Sequence, residues 1–240
     1  MGRSKLRTTL YTASFSVVFG VLFALSVHVI IPKILEVTTI TPFIVTQVTT
    51  TVLVFMPIFF TTLVLIKKEG ITLGWDAIKE RLRIRPIKWS DLGWMVGALV
   101  VAGLLVLVII QMVHWIPFLG DFALDSLSPY ELRPLVGYEL FFVLFMFVSF
   151  FFNYVGEEIL WRGYLYPVQE QALGPSAWIL NAILHAVFHM YAGWNVFAMM
   201  PIFFAMAFVY KKTRNVSVLI VMHALLGAPT DLLLALGLIH

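Results

Sequence analysis

Seven apolar runs, each near the length a helix needs to cross a bilayer, dominate this chain. A hydrocarbon core about 30 Å thick takes about 20 helical residues to span. The runs fall at residues 10–31, 41–66, 92–115, 137–156, 175–196, 198–210 and 216–238, and the sixth is the shortest. Hydrophobic residues make up 61% of the 240 positions and charged residues only 12%. A soluble domain carries about 25% charged residues, so the apolar excess here has to face lipid. The expected fold is all-α: a polytopic transmembrane helical bundle of about seven spans. No linker, repeat or low-complexity tract divides it, so residues 1–240 read as a single membrane-embedded domain.

The basic residues give the bundle a direction. With the N-terminus cytoplasmic, 14 of the 16 Lys and Arg fall in inner segments, and only Lys33 and Arg133 lie outside. That satisfies the positive-inside rule and places the C-terminus outside. The net charge of +3 is therefore explained by topology, and no nucleic-acid partner is expected. The first run continues to Ile31, longer than a signal-peptide core, and reads as a retained span. The cell membrane is the expected location and the lipid bilayer the first partner. There are no cysteines, which removes disulfides, thiol nucleophiles and Cys-metal sites together. In the longest inner segment, 67–90, Trp75, Ile78 and Leu82 recur at helical spacing. They predict a short helix lying in the headgroup region and ended by Pro86.

Ionisable side chains at membrane depth are costly and mark functional sites by default. Here they are Glu157 and Glu158, His185 and His189, and His223 and Asp231. His28 and His114 lie near span ends, where the interface accounts for them. Glu158 and Arg162 are four residues apart and share a helix face, so they can pair. Glu157 points about 100° away and has Trp161 four residues on, which leaves its carboxylate free on its own helix. A free carboxylate in a poorly solvated cavity suits general acid or base work near neutral pH. In the fifth run Asn181, His185 and His189 form one stripe, and in the seventh His223, Gly227 and Asp231 form another. Two histidines at i and i+4 can share a metal, and neutral imidazole with carboxylate suits zinc. The tentative ligand set is His185, His189, His223 and Glu157.

The stretch Glu157-Glu158-x-x-x-Arg162-Gly163, with a histidine on the next span and another near the last, resembles the CPBP family. These are the CAAX-protease and bacteriocin-processing intramembrane metalloproteases. The resemblance covers a catalytic core of about 135–235, and its most specific motif, E-E-x-x-x-R, matches in full. The second motif, F-x-x-x-H, is met at His189 but has His185 at the Phe position. The third, commonly H-x-x-x-N, is met at His223 but has Gly227 at the Asn position.

The resemblance implies peptide-bond hydrolysis by an intramembrane endopeptidase with Glu157, Glu158, His189 and His223 as its catalytic residues. Arg162 would support them, the residue pattern adds Asn181 and His185 to that support, and zinc is a cofactor to test on the strength of the histidines. Glu157 would activate water, assisted by His189, and His223 would polarise the carbonyl or stabilise the oxyanion. Glu158 paired with Arg162 would orient the site. The partner implied is a peptide or protein substrate, CAAX-type prenylated proteins among the options. Gly227 leaves two readings open. Either another donor, such as Asn181 or a backbone N–H, serves the oxyanion, or proteolysis is weak or lost and the chain acts as an immunity or scaffold protein. A proton-coupled transporter is the rival from another class, since Glu and His clusters also make proton relays. Geometry poses one further demand. Glu157 ends its run, while His189 lies about 21 Å into the next. The fifth helix must begin in the cytoplasm, or the fourth must tilt, for the two to meet.

Overall fold

The computed structural model describes residues 4–115 and 132–238, with backbone alone at 113–115. The expectation for His114 lies outside the described side chains. Among the described residues there is no strand, and six helical units are long and apolar enough to cross a membrane. The chain is an integral, multi-pass membrane protein. Helix α1 (Lys5–Val37) and helix α2 (Pro42–Lys68) form the first two units. The short helix α3 (Trp75–Leu82) and the long α4 (Trp89–Trp115) follow. Helix α5 occupies residues 137–173, α6 is Ala177–Phe188, α7 is Asn195–Thr213 and α8 is Val216–Ala235.

Six is close to the expected seven or so, and the fourth and fifth expected spans fall within one apolar unit, Gly137–Phe188, of 52 residues. Apolar character fades at Glu157, but the helix runs on to Leu173. Its polar positions there are enclosed by the protein: Arg162 and Gln169 are fully buried, bonded to Glu158 and Asn181 respectively. Gly174 then takes φ 61°, a left-handed conformation that only glycine adopts freely, and Pro175 starts the return. The returning α6 has 12 residues, about 18 Å at 1.5 Å per residue, which is too short to span alone. It meets α5 part-way along both helices, and the demand on depth is met by the long α5 and this short return. The sixth run, the shortest by sequence, forms a full 19-residue helix, Asn195–Thr213.

Helix α5 is the hub. Leu160, Trp161 and Leu165 are fully buried in one cluster with Phe23 of α1, Ile58 of α2, Phe188 of α6, Met206 of α7 and Met222 of α8. Burying Trp161 and its neighbours brings about 1.5–3 kcal/mol per large side chain where the alternative is water. In lipid, close packing takes over that role. Helix α4 is the opposite case. It lies along α7 and leaves Val96, Val100, Leu104 and Leu107 more than half exposed, as a lipid-facing helix should.

One end of the bundle gathers the basic loops. Arg81 makes a two-pronged pair with Glu69 (2.6 and 2.8 Å) and also donates to the Gly163 carbonyl at 3.2 Å. Arg214 pairs with Glu170, and the Asn215 side chain accepts from the Arg85 N–H and donates to the Pro86 carbonyl. Segments 67–91, 163–173 and 211–216 therefore share one side, as the charge pattern required. Arg162 does not belong with those loops, because it is wholly buried. Helix α3 also departs from expectation. It ends at Arg83, which adopts a left-handed cap, rather than at Pro86. Its Leu82 is buried against Gly163 and Arg81 bonds the Gly163 carbonyl, while Trp75 is exposed, so α3 docks on α5 through its last turn.

Candidate active site

The Glu-Glu pair sits where α5 departs from regular α-helical winding. Wide turns with i→i+5 hydrogen bonds occupy Phe151–Val155 and Ile159–Leu165, and Gly156–Glu158 lies between them. Such turns cost regular hydrogen bonding and occur often at functional sites. Both glutamates are buried, at 1% and 0% exposure, in the interior of a lipid-facing bundle. A charge there needs a partner, and each glutamate has a different one.

Glu158 Oε1 accepts from Arg162 Nη1 at 3.1 Å, the pair that the four-residue spacing suggested. The same oxygen lies 3.0 Å from His223 Nδ1 of α8, a contact between elements 65 residues apart. Glu157, free on its own helix, finds its partner on α6: its Oε2 lies 2.9 Å from His185 Nε2. His189 caps α6, and its Nδ1–H donates to the His185 carbonyl at 3.0 Å. That bond fixes the tautomer, leaving Nε2 as the nitrogen with a lone pair in a neutral ring.

Two polar groups thus lie side by side. The first is Glu157, His185 and His189, all buried, with one donor atom from each within 4.8 Å of the others. The second is Glu158, Arg162 and His223, of which only His223 keeps some exposure, 15% of its side chain. The ring centroids of His185 and His223 are 6.3 Å apart, so the two groups are adjacent. His223 stands with Glu158 rather than with the three candidate ligands.

Asn181 does not reach the site. Its amide donates to the Trp161 carbonyl at 2.9 Å and to Gln169 Oε1 at 3.0 Å, which ties α6 to the lower half of α5. With both amide hydrogens engaged, it has none to give an oxyanion. Asp231 is bonded to Gln47 and belongs to a separate polar chain in which Thr51 donates to Ser149 and Ser149 to the side-chain amide oxygen of Gln47. His28 reaches the Tyr191 carbonyl at 2.7 Å, near the surface. Sequence reasoning missed Tyr154, whose ring lies edge-on to His223 with centroids 5.0 Å apart. Its position four residues before Glu158, on the same helix face, was the available signal.

Paired carboxylates and imidazoles buried in a helical bundle define the class: a multi-pass membrane protein with a built polar centre. Residues 139–228 match the family model described as type II CAAX prenyl endopeptidase, Rce1-like. That match supports the CPBP, or CAAX-protease, family for this chain, and the matched stretch contains Glu157, Glu158, Arg162, His185, His189 and His223. No curated protein and no solved structure matches the chain.

Proposed function

We propose that this chain is an intramembrane endopeptidase that hydrolyses a peptide bond near the cytoplasmic side of the cell membrane. The observation that carries the reading is the fully buried Glu157 carboxylate, held 2.9 Å from His185 and beside His189. A carboxylate kept at that depth is expensive unless it is used. Glu157 takes a proton from a water molecule as that water attacks the scissile carbonyl carbon, and returns it to the leaving nitrogen. His185 fixes the orientation of Glu157. His189 Nε2 accepts from the same water. His223, its Nδ1 taken by Glu158, presents Nε2 to the carbonyl, and Glu158 with Arg162 holds that ring in place.

The donor set Glu157, His185 and His189 fits zinc in its chemistry. A carboxylate and two imidazoles leave a fourth position open, and the bond from His189 to a carbonyl is the kind that orients a ligating histidine. When bound, zinc would supply a Lewis acid and an acidified water. A type II CAAX prenyl endopeptidase acts on prenylated protein, so a peptide with a farnesylated cysteine near its carboxyl end is the first substrate to try.

The test is incubation of the purified chain with a pool of peptides, with and without a farnesylated cysteine, read by mass spectrometry. New fragments that vanish with Glu157→Gln support the reading. A parent chain that cuts nothing in the pool, with or without added zinc, overturns it in favour of an inactive scaffold or immunity role, the alternative to which Gly227 points.

A further inference from the structure

Tyr154 lies beside the two polar groups, and the mechanism above leaves it without a task. We propose that its hydroxyl is a catalytic hydrogen-bond donor to the carbonyl oxygen of the bond being cut, an inference that rests on the proteolytic reading of the site.

Three observations converge on it. The ring packs edge-on against His223, with centroids 5.0 Å apart, which puts the phenol beside the imidazole that faces the substrate. The hydroxyl is buried and has no hydrogen-bond partner among the described residues. A hydroxyl kept out of water without a partner is unfavourable, and native structures rarely tolerate one without a reason. The third observation concerns Gly227 on α8. A Cβ built at that residue would stand 2.6 Å from the Tyr154 hydroxyl oxygen and 3.0 Å from the nearest ring carbon. Any larger residue at 227 would have to push the phenol aside, so glycine there makes room for it. Packing alone does not call for a tyrosine. The neighbours Phe150, Phe151 and Phe152 show that this helix uses phenylalanine freely, and phenylalanine would fill the same space without burying an oxygen.

The step balances without any further reactant. The water oxygen bonds to the carbonyl carbon, and the carbonyl π pair moves onto its oxygen. Tyr154 O–H donates to that oxygen and keeps its proton throughout. The proton released by water goes to Glu157, then to the leaving nitrogen as the C–N bond breaks and the carbonyl re-forms.

The experiment uses the full chain in detergent and the fastest-cut peptide of the pool described above. Tyr154→Phe keeps the ring and removes only the donor, so kcat should fall by about 100- to 1,000-fold, the range for loss of one oxyanion donor. KM should stay within about threefold, because the bond strengthens as charge develops. Gly227→Ala, which displaces the phenol, should lower kcat in the parent and lower it little further in the Tyr154→Phe background. Melting temperature, followed in parallel, separates a folding defect from a lost donor. Wild-type kcat in Tyr154→Phe, with Glu157→Gln inactive, overturns the role of Tyr154 and leaves proteolysis standing. Additive losses in the double variant overturn it as well. Full activity in Glu157→Gln overturns the proteolytic reading itself.

Discussion

Glu157 and Glu158 are neighbours in sequence with the same side chain, yet they belong to two different polar groups. Glu158 is shared between an arginine one turn along its own helix and a histidine of α8, a contact that links α5 to α8. Glu157 faces α6, where its partners are two imidazoles and no fixed positive charge. A carboxylate beside a guanidinium is committed to that charge. One beside imidazoles can exchange a proton. The contrast teaches that burial by itself does not mark the chemistry, since both residues are equally buried, and the kind of partner decides.

The contrast can be broken by substitution. The largest effect is expected at Glu157: Glu157→Gln should reduce peptide cleavage by about 100- to 10,000-fold, the usual worth of a general base, with the chain accumulating in membranes as before. Arg162→Leu should act on the other group. It leaves Glu158 buried without its guanidinium, a loss of about 3–5 kcal/mol, seen as a large drop in melting temperature in detergent. Asn181→Ala comes next, at about 1–3 kcal/mol of stability, because the Gln169 side-chain oxygen and the Trp161 carbonyl would lose a buried donor. The smallest change is expected at the basic face. Arg81→Lys keeps the charge but loses the two-pronged bond to the half-exposed Glu69, a change of about 0.5 kcal/mol read in the same melting assay.

Metal analysis sharpens the same contrast. If zinc binds, elemental analysis after exposure to zinc should show it lost with His185→Ala and His189→Ala. It should be retained in His223→Ala, because His223 is engaged by Glu158.

Much of this was legible in the residues themselves. The apolar runs define a helical membrane protein, and the Glu158–Arg162 pair follows from a spacing of four. The basic loops fall on one side as the charge pattern required. Sequence was silent where elements far apart in the chain meet. Nothing in periodicity pairs Glu157 with His185, 28 residues away, or Glu158 with His223. The extension of α5 to Leu173 was hidden for a related reason. Its polar residues lower the apolar signal, yet Arg162 is bonded to Glu158 on its own helix, and Gln169 and Glu170 are bonded to Asn181 and Arg214 from elsewhere in the chain. The wide turns on either side of the glutamates carry no sequence signature at all. Gly227 is the instructive case. Read along the chain it is a missing side chain, and in three dimensions it is the space that Tyr154 occupies.

The most direct test sets Glu157→Gln beside Glu158→Gln in one preparation, measuring single-turnover cleavage and melting temperature for each. The account predicts that Glu157→Gln melts like the parent and does not cleave, whereas Glu158→Gln melts markedly lower. Wild-type cleavage by Glu157→Gln, or a Glu158→Gln chain as stable as the parent, would contradict it.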